Sequence, residues 1–228
     1  MRLLHRYAGI SAGAALIYLL LTGLPLQFTT ELALGSRFVH SPLILDAYNL
    51  DAPDSVRFDN GVAHLGERLY SQTGDIGPAR EFLGAVRYQG LLVIGTAQHL
   101  LLISGELQPE RVEFNSRLTG VALHEGLILV NSRDDVLELD EALLNVSESS
   151  TAAADVNWRA PVQLDASRAA PYRQLHRERM LTVERLLQDL HSGRAFGPVG
   201  VWSINIATVL LAVLAATGYL IWWRSRRR

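Results

Sequence analysis

The sequence predicts an α+β membrane protein: two transmembrane helices flanking a β-rich extracytoplasmic domain, with a juxtamembrane helix leading into the second span. Three observations predict it. Two charge-free apolar stretches, Ala8–Phe28 and Val201–Trp223, each reach the roughly 20 residues a helix needs to cross the hydrocarbon core. All 23 acidic residues lie between these stretches. The segment between them carries a series of short apolar runs, each too short for a helix and of ordinary length for a strand.

Charge placement orients the spans. Arg2 and Arg6 precede the first, and Arg224, Arg226, Arg227 and Arg228 follow the second, whereas the segment between them has a net charge of −8. Short basic flanks stay cytoplasmic. Both termini are therefore expected in the cytoplasm and the central domain in the periplasm, across a bacterial inner membrane. Trp222 and Trp223, directly before Arg224, complete an aromatic and cationic membrane anchor with the four arginines. The first apolar run is long for a signal peptide, and no small-x-small cleavage pattern follows in Thr29-Thr30-Glu31-Leu32-Ala33-Leu34, so it is expected to stay as an anchor. The resulting division is residues 1–28 as the first transmembrane helix, 29–170 as the periplasmic β-rich domain with its linker, 171–200 as the juxtamembrane helix and bend, and 201–228 as the second transmembrane helix with its basic tail. Cysteine and lysine are both absent. That excludes disulfides, thiolate chemistry, Schiff bases and a P-loop lysine.

Strands are expected from about Ser55 to Leu144. Asp59-Asn60-Gly61 is a hairpin signal, because a type I′ turn needs positive φ at both central residues. Apolar runs follow at Leu91–Ile94, Leu100–Ile103, Leu127–Val130 and Val136–Leu139. Two stretches repeat without a gap at an offset of 36 residues: Leu83-Gly84-Ala85-Val86-Arg87-Tyr88-Gln89-Gly90-Leu91-Leu92-Val93-Ile94 and Thr119-Gly120-Val121-Ala122-Leu123-His124-Glu125-Gly126-Leu127-Ile128-Leu129-Val130. Gly84 aligns with Gly120, and Gly90 with Gly126. A unit of this length built from short strands is blade-like, with a degenerate copy around Val56–Tyr70; two similar hairpins in an ordinary antiparallel sheet explain the pattern equally well. Asp134-Asp135 reads as a hairpin turn. Residues 145–170, rich in Ser, Ala and Asp, read as a linker. Pro171–His191 reads as one helix burying Leu175, Leu186 and Leu190, started by Pro171 and stopped by Ser192-Gly193.

Four segments carry a family resemblance: Leu4-His5-Arg6-Tyr7-Ala8-Gly9-Ile10 at the start of the first span, Leu21-Thr22-Gly23-Leu24 at its close, Asp189-Leu190-His191-Ser192-Gly193-Arg194-Ala195-Phe196-Gly197-Pro198-Val199-Gly200 before the second span, and Thr217-Gly218-Tyr219-Leu220-Ile221-Trp222-Trp223 with the arginine tail. In this order they resemble the PepSY-associated transmembrane proteins of bacterial inner membranes. The resemblance implies an extracytoplasmic domain held between spans. It also implies a redox association, since some members are linked to iron–siderophore reduction or carry reductase modules. This chain has two spans where larger members have three or four, and its middle lacks the helix-then-sheet order of a PepSY module.

Candidate sites are few. His5 and His191 suit haem iron as ligands, but they are expected at opposite faces of the bilayer, about 30 Å apart, so within one chain they do not share an ion. His40, His64, His99, His124 and His176 lack zinc spacing. No metal site, no catalytic constellation and no cofactor other than haem is expected, and the acidic centre argues against nucleic acid. Small residues at Gly9 and Gly13 in the first span, and at Ala212, Ala216 and Gly218 in the second, suit close helix packing; Asn205 suits an interhelical hydrogen bond. The expected partners are membrane lipid and a membrane or periplasmic protein, or a second copy. The sequence therefore favours a non-catalytic accessory protein presenting a periplasmic domain. The alternative is a redox accessory subunit, haem-binding or linked to ferric-siderophore reduction.

Overall fold

The computed structural model describes residues 2–105, 109–133, 135–143 and 145–226. The chain divides into two compact units, Met1–Asn49 with Glu178–Arg228, and Leu50–Arg177. The domain boundaries thus fall at 49/50 and 177/178, inside the segments that the sequence assigns to the periplasmic domain and to the juxtamembrane helix.

The first unit is helical. Its long helices are α1 (Arg2–Gln27) and α5 (Gly197–Ser225). Both are long and apolar enough to cross a membrane, over Gly9–Gln27 and Arg194–Ser225. At 1.5 Å per residue, 29 residues of α5 measure about 43 Å, which covers the hydrocarbon core and part of both headgroup layers. Two short helices complete the unit, α2 (Pro42–Ala47) and α4 (Val183–His191). Thr182 caps α4 by accepting the Arg185 N–H. Ahead of it, Phe38 and Thr182 form an antiparallel bridge, with Val39 N–H donating to the Leu181 carbonyl and Val183 N–H to the Arg37 carbonyl.

The second unit is three antiparallel meanders in series. The first has β1 (Arg57–Asp59), β2 (Val62–Leu65), β3 (Arg68–Ser71) and β4 (Gly74–Pro78). The second has β5 (Gly84–Tyr88), β6 (Leu91–Gly95), β7 (His99–Ile103) and β8 (Glu110–Glu113). The third has β9 (Leu118–His124), β10 (Leu127–Ser132), β11 (Val136–Leu139) and β12 (Val146–Glu148). A short return strand, β13 (Val162–Gln163), adds to the outer edge of β1, and α3 (Ala166–Arg177) covers the first sheet.

Each meander opens on the same two-residue turn. Asn60-Gly61, Gln89-Gly90 and Glu125-Gly126 have φ values of 45/88°, 45/84° and 49/84°. Positive φ at both positions matches the right-handed twist of the flanking strands. The pairing registers of the second and third meanders coincide under the 36-residue shift: Ala85 faces Ile94 as Val121 faces Val130, and Ile94 faces Leu101 as Val130 faces Leu137. The aligned glycines Gly84 and Gly120 differ, however, since only Gly84 takes a positive φ, of 146°.

The second sheet is buried on both faces. Ala85, Ile94 and Leu101 point into a cluster with Val62 and Leu69 of the first meander and Phe82 of the connection after it, while their neighbours Val86, Val93 and Leu100 point into a cluster with Val121, Ile128 and Leu139 of the third. Strands buried on both faces need no polar alternation, which is why these segments read as continuous apolar runs. A third cluster packs Val56, Leu65 and Tyr70 against Ala169 and Tyr172 of α3.

Two elements depart from expectation. The helix expected over 171–191 is two helices, α3 and α4, which fall in different units because residues 178–182 break the periodicity. Pro171 lies inside α3 and does not start it. Residues 145–170 are an ordered strap and not a linker. Arg159 N–H donates to the Val121 carbonyl at 2.9 Å, Val156 and Trp158 pack on Ala122 and Leu129, and the Arg159 guanidinium donates to the buried Asp59 carboxylate. The expected Asp134-Asp135 turn lies partly outside the described residues.

Candidate functional site

The family-like segments at the close of the first span and ahead of the second meet in the membrane unit. α4 lies against the C-terminal turns of α1. Tyr18 OH donates to the Leu190 carbonyl at 2.6 Å, and His191 Nδ1 lies 2.9 Å from Thr22 Oγ1. Thr22 Oγ1 also lies 2.9 Å from the Tyr18 carbonyl, the back-bond of a helical threonine. A hydroxyl has one proton to give. With that proton on Tyr18 O, Thr22 accepts from Nδ1–H of His191, which leaves Nε2 as the lone-pair nitrogen. Gly23 makes the room: a Cβ there would lie 2.8 Å from His191 Cε1. Gly193 and Gly200 make the next turn equally close, since a Cβ on Gly193 would meet the Gly200 carbonyl. Gly193 also takes φ of 77°, which ends α4.

His191 was expected beyond the membrane face. In the structure it lies level with Thr22, about 8 Å along α1 before that helix ends. The cause is the separation of α3 from α4, which lets the shorter helix run back along α1. His5 lies on α1 nearly five turns from Thr22, about 25 Å along the axis. The two histidines are therefore far apart, and as a pair within one chain they do not fit a haem. Among the described residues no group of three or more His, Asp and Glu is placed to hold a metal ion.

Beside His191, Asp189 is buried at 4% exposure. Arg185 Nε donates to it at 2.9 Å, and Tyr48 OH reaches it at 3.4 Å. Burial, followed by the Asp189 charge, raises the Tyr48 pKa above its ordinary value. The sequence pattern did not single out Asp189, although one carboxylate on the apolar side of an amphipathic helix was a signal that it needs a partner.

α1 and α5 are in contact, and their less exposed residues form stripes: Ala12, Ala15, Leu19, Thr22 and Leu26 on one, and Val201, Ile204, Ala207, Leu211 and Leu214 on the other. The residues expected to pack lie elsewhere. Gly9, Asn205, Ala212, Ala216 and Gly218 are exposed, and a Cβ at Gly9, Gly13 or Gly218 would meet nothing within 4 Å. They are surface available to another helix, not the contact between the two spans. At the C-terminus Trp222, Trp223, Arg224 and Arg226 are exposed, and the Arg226 guanidinium stacks 4.6 Å over the Trp222 ring. Arg227 and Arg228 lie outside the described residues.

The β unit holds a cleft of about 650 Å³ whose walls include Arg80, Arg111, Arg117, Glu67, Glu113 and His99. Arg117 is paired with Glu81 across it. His99 Nε2 is buried and has no hydrogen-bond partner among the described residues. Burial lowers the His99 pKa, against the opposing pull of Glu113, and favours the neutral ring. The cleft draws its residues from four separate stretches of chain, which no linear spacing connects.

No curated protein and no solved structure matches the chain. A family model, the PepSY-associated TM region, matches residues 91–225, which is more than half of the chain and includes β6 to β8 of the second meander, the third meander, the strap, α3, α4 and α5. By that match this chain belongs to the PepSY-associated transmembrane family.

Proposed function

We propose that this membrane protein is a non-catalytic accessory subunit that presents its β unit to a partner on the periplasmic side of a bacterial inner membrane, with both termini in the cytoplasm. The observation that carries the reading is the bridge between Phe38 and Thr182. It pins together the two chain segments that leave the helical unit, and the Tyr18–Leu190 and Thr22–His191 contacts fix the second of these to α1. Order of this kind within the helical unit suits a membrane anchor that presents a domain for recognition. The equal turns and registers of the meanders support reading them as blade-like repeats, a partial propeller with a shared binding rim. The exposed Gly9, Ala212, Ala216 and Gly218, with the half-buried Gly13, are the surface through which the spans dock to a membrane complex.

Two measurements test this. Reporter fusions after residue 228 should be active only in the cytoplasm and fusions near residue 110 only in the periplasm; an outward C-terminus overturns the orientation, because four arginines hold that end inside. Purification in mild detergent should retain a stoichiometric protein partner, a second copy included, and a chain that stays alone at every concentration overturns the accessory role.

One observation favours a second reading, that of a redox accessory. The 2.9 Å contact between His191 Nδ1 and Thr22 Oγ1 orients the ring, and with the proton on Nδ1 it leaves Nε2 as the lone-pair nitrogen an iron ligand needs. A second axial ligand then comes from another chain, since His5 is too distant. A Soret band in the purified protein that disappears in His191→Ala decides for it.

A further inference from the structure

The three sheets have six edge strands among the described residues; β5 and β9 are engaged within the fold, Ala85 by Asp59 and Asn60 and the Val121 carbonyl by the Arg159 N–H, which leaves β13, β4, β8 and β12. Open edges are templates for another strand, and proteins blunt those they do not use. Three of these edges are blunted. β13 is two residues long and β12 three. β4 ends in Pro78, is irregular where it meets β3, and has Asp75 engaged by Arg68. β8, Glu110-Arg111-Val112-Glu113, is regular over four residues and has neither proline nor bulge.

Charge on an edge ordinarily blocks pairing, because like charges meet. The order on β8 reverses that argument. Arg111 and Glu113 lie on one face, over the mouth of the cleft, and both are exposed; Val112, between them, packs on the other face against the core of the second and third meanders. When two such strands meet antiparallel about Val112, each arginine stands opposite the other strand's glutamate, and the two valines meet beside the apolar cluster. Shifting the centre to residue 111 or 113 sets like charges opposite each other, so a single register is selected. Among the described residues Arg111 and Glu113 have no salt-bridge partner of their own, which leaves both available.

We infer that β8 pairs edge to edge with β8 of a second copy of this chain, antiparallel about Val112, so that Arg111 of each copy faces Glu113 of the other. The inference rests on the accessory reading and names one partner for it, the protein itself. Backbone hydrogen bonds supply the attraction and the charge order supplies the register.

The test is sedimentation equilibrium of the full chain in mild detergent. The parent is expected to dimerise. Arg111→Glu and Glu113→Arg each turn both cross-strand pairs into repulsions and should weaken the dimer roughly tenfold. The double variant Arg111→Glu/Glu113→Arg restores opposite charges and should recover the dimer. An equimolar mixture of the two single variants should do so as well, because one chain then presents two glutamates and the other two arginines. Both recoveries also show that the single variants fold. A monomeric parent, a dimer indifferent to all four preparations, or single variants that the mixture fails to rescue each overturn the inference. A different protein that co-purifies equally with every variant overturns it too, while leaving the accessory reading in place.

Discussion

Gly23 and His191 share one space: a Cβ on the glycine would come 2.8 Å from Cε1 and 3.2 Å from Nδ1 of the imidazole. The short segment Leu21-Thr22-Gly23-Leu24 and the segment around Leu190-His191 are thus two halves of one contact. Thr22 provides the hydrogen-bond acceptor and Gly23 the vacancy beside it. Gly23→Val should push the ring off Thr22 and detach the end of α4, seen as faster proteolysis around residues 178–200 in detergent. Thr22→Val removes only the hydrogen bond and should cost about 1 kcal/mol in thermal unfolding. Gly9→Val, with open space around it, should leave the isolated chain unchanged. Protection in Gly23→Val equal to that of the parent would show that α4 does not depend on this seat.

The strap provides a second prediction. A Cβ on Gly84 would meet Arg159 Cβ at 2.4 Å, and one on Gly120 would meet the Trp158 ring at 3.0 Å. The two aligned glycines thus receive consecutive residues of the strap, Arg159 on Gly84 and Trp158 on Gly120. Gly84→Ala combines backbone strain at φ of 146° with that collision and should cost about 2–3 kcal/mol. Gly120→Ala faces only the collision and should cost less. Chemical denaturation of the full chain in detergent, followed by tryptophan emission, ranks the two; the reverse order would mean that Arg159 yields to an added Cβ more easily than Trp158 does.

The positions of the two long apolar helices and of the strands were legible in the sequence because each rests on local pattern, apolar length in one case and short runs between turn residues in the other. The 36-residue register was legible because the Gly90 and Gly126 turns both require positive φ. What local pattern misjudged was the segment from Asn145 to His191. Serine, alanine and aspartate look like linker when their partners are remote, and here those partners, Asp59, Val121 and Gly84, lie 38 or more residues upstream of the strap residues they meet. The division between α3 and α4 was hidden because charged residues run through both helices. The His191 contact combines a residue pair 169 apart in sequence, and only the fold of α4 back onto α1 makes it.

A third prediction concerns pH. Burial lowers the pKa of His64 and of His176 below the ordinary 6.5; the nearby Arg57 and Arg68 add to it, and the Ala79 carbonyl and Asp75 oppose it in turn. A folded-state pKa below the unfolded one means that the unfolded chain takes up the proton first. The stability these rings contribute is therefore complete above pH 6.5 and declines as pH falls from 6.5 toward the folded value. The melting temperature of the β unit should drop between pH 7 and pH 5, and His64→Gln should flatten part of that drop. A rise in stability over this range would mean that both rings are charged in the folded protein.

Asp189 decides how firmly α4 is held. Asp189 is buried at 4% exposure, and among the described residues the short donor to its carboxylate is Arg185 Nε at 2.9 Å; Tyr48 OH, at 3.4 Å, is a weak contact. Removing one partner of a buried pair leaves a charge without compensation, which is costlier than removing both. Arg185 is itself 62% exposed, so water takes over part of its role and the loss is discounted accordingly. Arg185→Ala should cost about 1–2 kcal/mol in thermal unfolding, Tyr48→Phe a few tenths, and Asp189→Asn about 1 kcal/mol. The double variant Arg185→Ala/Asp189→Asn should cost less than the two single losses combined, by about 1 kcal/mol, because the asparagine no longer needs the guanidinium. Additive losses would show that Arg185 and Asp189 stabilise α4 independently, and the pair would then be an exposed arginine beside a carboxylate satisfied by other groups.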